Sequence, residues 1–326
     1  MNFWPLINKK IGKQDPQFNY SSGQALLIVL LTMTVVLTVV LSVVSRSITD
    51  ITITTYGEES QRAFDAAEAG IEQVLIQQPI VGFTDPVPLP GSEDTFQVEV
   101  SAATPDNNEF DYPDDLLSGE TATFWFVSHN DDGELKCGPC STCAGGSWPC
   151  LRANRLNICW GNLGTNPNDS EAPAVELSLY YDLTQSVITT GNYSSVRVAR
   201  FALDPQLSRV DDNKFDYTNN SCPMVGGNYA FSTGNIDVTS IPCWNTAGCF
   251  LMLKARMFYN TSPSNAHPIG LRANATGGSN LPAQGLQIDS KGVAGESTRK
   301  VNIFQTYSEP PTVFDSSIFT INDLTK

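Results

Sequence analysis

Apolar and polar positions divide this chain into two textures. Residues 25–44, "ALLIVLLTMTVVLTVVLSVV", contain no charge. At 1.5 Å per residue such a helix is about 30 Å long, the thickness of a bilayer's hydrocarbon core. Its threonines and Ser42 can return their hydroxyls to the helix backbone and so cost little in lipid. The helical pattern then continues. From Ser45 to Gln78 there is no proline, and Phe64, Ala67, Ile71, Val74 and Leu75 recur at the spacing of one helix face. Glu58, Glu59, Gln61, Arg62, Asp65, Glu68 and Glu72 lie on the other side. The spacing predicts one rod over residues 24–78, weakened around Thr54–Gly57, where a kink is expected, and ended by Pro79.

After Pro79 the period changes. Residues 79–94 are rich in proline and turn residues and read as a linker. Beyond them come short alternating or β-branched runs at 95–102, 122–128, 155–161, 174–183, 195–203, 249–259, 269–273, 285–292 and 299–307. The predicted class is α+β. A long transmembrane and stalk helix precedes an antiparallel, disulfide-stabilised β domain over 95–326, with a cysteine-rich loop at 137–159.

Charge sets the orientation. Lys9, Lys10 and Lys13 precede the apolar run, with Asp15 the only acid there, which places residues 1–23 in the cytoplasm. The part beyond residue 44 carries the excess of acids in a chain of net charge −15 and lies outside. Such a surface repels phosphate, so no nucleic-acid partner is expected. All eight cysteines, Cys137, Cys140, Cys143, Cys150, Cys159, Cys222, Cys243 and Cys249, fall in the external part. An even count in an exported region reads as disulfides. Five lie before residue 160 and three after 220, so full pairing needs at least one bridge between the groups.

Motifs that carry chemistry are few. "CGPC" at 137–140 matches a dithiol redox motif, but loop flanks it on both sides, where a low-pKa thiol needs a helix N-terminus. Cys137, Cys140, Cys143 and Cys150 also have compact zinc-like spacing, against which disulfides win in an oxidising compartment. His129 and His267 sit in no catalytic motif and read as surface or loop-packing residues. The acidic stretches 105–115 and 130–134 fit no calcium-loop spacing and read as solvated turns. Sequons stand at Asn19, Asn168, Asn192, Asn219, Asn260 and Asn274. No phosphate loop, dinucleotide fingerprint or nucleophile elbow is present, so neither an enzyme nor a cofactor is expected.

"SSGQALLIVL" at 21–30, the apolar run and "SQRAFDAAEAGIEQVL" at 60–75 together resemble the N-terminal domain of PilX-type minor pilins, whose stalk helix carries an AFxAAEA-like stretch. The resemblance covers roughly residues 20–78. It implies a peptidase cut between Gly23 and Gln24. It also implies membrane and later filament packing through Ala25, Leu26, Leu27, Ile28, Leu31, Val35 and Leu41. The implied partners are membrane lipid, prepilin peptidase, other pilin-like subunits and the assembly machinery. Two positions depart from major pilins: Gln24 is polar where they start with an apolar residue, and the fifth mature position is Ile28 rather than glutamate. The missing glutamate suits a minor or tip subunit. The competing expectation is a single-pass adhesion or binding protein whose anchor is never cut.

Overall fold

The computed structural model describes residues 22–77, 82–130, 132–141, 146–224 and 229–309. The leader through residue 21, Pro79 and Cys143 therefore lie outside the described residues. Helix α1 runs from Ser22 to Gln77 as one element of 56 residues, about 80 Å long. It continues uninterrupted through Thr54–Gly57, where a kink was expected. The β-branched run there stays helical with its hydroxyls satisfied: Thr49, Thr52, Thr54 and Thr55 each donate to the carbonyl four residues back, at 2.8–3.0 Å. Tyr56 and Glu59 also reach Glu296, tying this turn to the β domain.

The chain then forms β1 (Gly82–Pro88), β2 (Thr95–Ala102), β3 (Glu109–Asp111), β4 (Thr121–Trp125), β5 (Ala153–Asn162), β6 (Ala174–Asp182), helix α2 (Ser186–Thr190), β7 (Val196–Asp204), helix α3 (Val210–Asn213), β8 (Tyr229–Ser232), β9 (Phe250–Phe258), β10 (Ile269–Ala275), β11 (Gly285–Ala294) and β12 (Ser297–Thr306), with several two-residue ladders besides. Every expected strand run is present. The linker at 79–94 is corrected, because β1 lies inside it and pairs with β2. Its prolines are tolerated because β1 is an edge strand and its register shifts between Phe83 and Val87, where Pro86 lies. β3, inside the acidic stretch 105–115, is a second strand that the turn-rich composition concealed.

Three sheets organise these strands. The first is antiparallel, in the order β1-β2-β11-β12, and so joins the first two strands to the last two. Residues 103–284 form an insertion whose entry and exit run side by side, Ala103 N–H donating to Gly285 O and Gln284 N–H to Ala103 O. In the insertion, one sheet runs β7-β6-β9-β4, with Asp216–Tyr217 added beside β7. The other runs β8-β5-β10-β3. Their inner faces share one core that includes Phe124, Trp160, Leu177, Leu253, Met257 and Leu271. The period of two is clear in β6, where Val175, Leu177 and Leu179 point into this core.

The C-terminal part of α1 lies across β2, β11 and β12. Here the predicted helix face needs correction. Ala67, Ile71 and Val74 are buried as expected, but Phe64 and Leu75 are 39 % and 38 % exposed. Ala63, Ala66 and Gly70 take the inner positions instead. A Cβ on Gly70 would lie 2.6 Å from Ser290 Oγ and 2.8 Å from Val98 Cγ2. The helix is thus too close to the sheet for a large side chain, and Phe64 is turned to the flank. Phe96, Val98, Val100 and Ile288 complete the interface with Ile71 and Val74. Ser290 Oγ donates to the Ala67 carbonyl at 2.7 Å. Arg62 donates from Nε and Nη2 to the two oxygens of Asp94, at 3.0 and 2.6 Å, and holds that carboxyl below its ordinary range.

Candidate functional site

The largest feature without a partner in the fold is the first half of α1. Leu26, Leu27, Ile28, Leu31, Val35 and Leu41 are each more than half exposed, and Ala25 is exposed beside them. Thr32, Thr34 and Thr38 donate to the carbonyls of Val29, Leu31 and Val35 at 2.8–2.9 Å, so the helix wall offers few unsatisfied polar groups. No charge lies between Gln24 and Arg46. The segment is long and apolar enough to cross a membrane. A surface of this kind has no stable place in water and is covered either by lipid or by other protein. Ser22 and Gly23 already belong to α1, so the Gly23–Gln24 bond lies in the helix's first turn.

The described cysteines are committed to bridges. Cys137 pairs with Cys150, Cys159 with Cys222 and Cys243 with Cys249, and Cys140 is also disulfide-bonded. Cys159–Cys222 is the required bridge between the two sequence groups. Within "CGPC", Cys137 finds its partner at Cys150 rather than at Cys140. The motif lies in a small ladder pairing Gly138–Pro139 with Ser147–Trp148. With both sulfurs oxidised, Cys137 and Cys150 offer no thiolates to zinc. Disulfides in the β domain belong to an oxidising compartment.

Of the two roles expected for the histidines, surface or packing, both take the packing one. His129 is buried, edge-on to Trp125 at 4.4 Å and stacked on Tyr307 at 3.9 Å between ring centroids. Burial lowers its pKa to about 4. His267 is 2 % exposed. Its Nδ1 accepts from the Asn162 N–H at 3.0 Å and burial lowers its pKa, against the nearby charge of Asp115. Each sits where an aromatic ring fills a core position, a role that a loop-like local sequence cannot reveal.

The acidic stretch 105–115 is likewise divided up by the fold. Glu109 pairs with Arg272, and Asp111 accepts from the Tyr229 hydroxyl at 2.5 Å. Asp114 and Asp115 are left at the surface. Among the described residues, no three of His, Cys, Asp and Glu group as a metal site. Of the sequons, Asn168, Asn192, Asn219 and Asn274 are exposed, whereas Asn260 is fully buried.

Two structural carboxylates escaped the sequence reading. Asp182 and Asp204 are each 0 % exposed. Asp204 takes Arg209 at 2.7 Å, and Arg209 lies 3.7 Å over the Tyr259 ring. Asp182 is surrounded by donors: Ser195 and Ser186 hydroxyls, the Thr184 hydroxyl and the N–H groups of Thr184 and Val187. Burial opposes its ionisation, but these bonds outweigh it and lower the pKa to about 2. The serine and threonine density around 184–195 was the available signal. Comparison with protein-family models, with curated proteins and with solved structures finds no match to this chain.

Proposed function

We propose that the chain is a non-catalytic minor pilin-like subunit, in which α1 serves first as a membrane anchor and then as the packing element of a filament. The observation that carries this reading is the continuity of α1. One helix presents a bilayer-length apolar wall and, further along, docks through Ala63, Ala67, Gly70 and Ile71 onto an antiparallel sheet. A rigid rod of that kind can pass from lipid into a protein bundle without changing its own hydrogen bonding. The external sandwich is then carried outside as a disulfide-bonded module available for adhesion or for priming assembly. With Ile28 at the fifth position after the Gly23–Gln24 bond, no carboxylate is placed to pair with a neighbour's N-terminal amine. That suits a subunit present once, at a tip, better than a repeated one.

One observation favours a second reading, an uncut single-pass anchor with an external binding domain. Gly23 and Gln24 lie within helical backbone, and a peptidase must open that turn to reach the bond. The N-terminal sequence of the mature protein from native membranes decides between the two. A start at Gln24 supports the pilin-like subunit. A start at Met1 overturns it and leaves the plain anchor.

A further inference from the structure

Side chains on a strand alternate between the two faces of its sheet. In the sheet β7-β6-β9-β4, Leu177, Leu179, Leu253 and Ala255 fill the sandwich core. Ser178 of β6, Lys254 of β9 and Thr123 of β4 therefore point outward, in register across three neighbouring strands. An outward lysine on a sheet ordinarily keeps its ammonium in water. Lys254 is instead 2 % exposed, and Ser178 and Thr123 are buried beside it. Arg200, next along the same row on β7, is exposed, so the cover ends there. The chain itself reaches this face from one edge. After β12, Tyr307 packs against the group formed by Trp125 and Met252, and the Glu309 carboxylate accepts from the Thr123 hydroxyl. Glu309 is the last described residue. It stands at the edge strand, whereas Ser178 lies two strands further in.

The sequence continues past Glu309 through 310–326, outside the described residues. At about 3.3 Å per residue that length can reach roughly 55 Å, several times the distance of about 15 Å across four strands. Its chemistry matches the face. Outward from the sheet stand Arg200, Lys254 and Arg256, with Glu176 the acid among them, bound by Arg200 at 3.1 Å. The local sign is thus the reverse of the chain's net −15. Beside the bases runs an apolar row of Val198, Tyr180 and Met252, of which Val198 stays 41 % exposed. Residues 310–326 carry Asp315 and Asp323 among Val313, Phe314, Ile318, Phe319 and Ile321, with Lys326 their only base. We propose that residues 310–326 seat on the outward face of β4, β9 and β6 of their own chain, carboxylate towards the bases and apolar side chains towards Met252 and Tyr180. The segment is then a built-in cover for a basic and apolar surface that would otherwise be open to a second chain. The seat belongs to the β domain and does not depend on whether the Gly23–Gln24 bond is cut.

The test is lysine acetylation of the full chain in detergent micelles, followed residue by residue by mass spectrometry. Lys254 should react at least tenfold more slowly than the exposed Lys300. In a chain ended after Glu309 the Lys254 rate should rise at least tenfold, with near-ultraviolet circular dichroism unchanged. Should the shortened chain lose its fold, the full-length Ile318→Asp/Phe319→Asp variant gives the same readout, and Lys254 should again become reactive. A Lys254 that reacts as fast as Lys300 in the full chain would sink the proposal, because nothing then covers the face. A Lys254 that stays slow in a folded chain lacking 310–326, or in the double variant, would sink it too, because the described residues then suffice. Protection that vanishes on dilution together with a dimer would assign the seat to the segment of a second copy and overturn the assignment to the same chain.

Discussion

Gly292 of β11 lies directly beneath Ala63 of α1: a Cβ placed on it would sit 2.0 Å from the Ala63 carbonyl oxygen and 2.6 Å from the Ala67 nitrogen. Both neighbours are backbone, so no side chain can rotate away. The stalk is held to the sheet by the absence of side chains as much as by their presence. Gly292→Val should therefore lift the helix and destabilise the β domain by about 2–3 kcal/mol or more. A urea unfolding curve with lowered midpoint, and faster proteolysis of α1 between residues 59 and 74, are the expected readouts. An unchanged midpoint would contradict the close approach.

Two of the bridges in the β domain differ in span. Cys159–Cys222 encloses a separation of 63 residues and Cys243–Cys249 one of 6. If loop entropy dominates, removing the first should cost about 4 kcal/mol and the second about 2 kcal/mol. Paired serine variants compared by chemical unfolding test the order, and a reversed ranking would show that packing around the buried sulfurs outweighs chain entropy.

His129 ties the chain's last described segment, through Tyr307, to Trp125. An unfolded histidine titrates near 6.5, whereas the folded one takes a proton only near 4. The unfolded state therefore binds the proton first as pH falls. Stability is complete above about 6.5 and declines as pH drops towards 4, by an amount on the order of 2–3 kcal/mol. His129→Phe keeps the stack and removes the titration. Its melting temperature should fall less between pH 7 and pH 5 than that of the parent, with the remaining slope owed to His267, whose pKa is lowered too.

Asp182 works in the opposite part of the scale. Its pKa is lowered from 3.8 to about 2, so its stabilisation is complete above the unfolded value and is lost as pH falls from about 4 to 2. Asp182→Asn should lower stability at pH 7 and flatten the acid limb of the unfolding profile. A variant with the parent's acid limb would mean that Ser195, Ser186 and Thr184 hold the turn without the charge.

Local pattern alone determined the helix, its apolar first half and most strands of the sandwich, though not β3 or β8. Period and composition are properties of neighbouring residues, as in β6, where Val175, Leu177 and Leu179 alternate with Glu176, Ser178 and Tyr180. Only the tertiary structure decided what those elements meet. That Phe64 turns outward and Ala63 inward depends on how near β11 comes, and Gly292, more than 200 positions away, sets that distance. That β1 exists within a proline-rich stretch depends on β2 offering an edge where a missing N–H does no harm. The bridge of Cys159 to Cys222, and the burial of His129 behind Tyr307, are likewise contacts between distant segments. No local period encodes such contacts, because the free energy that selects them comes from the close packing of surfaces that meet only in the folded chain.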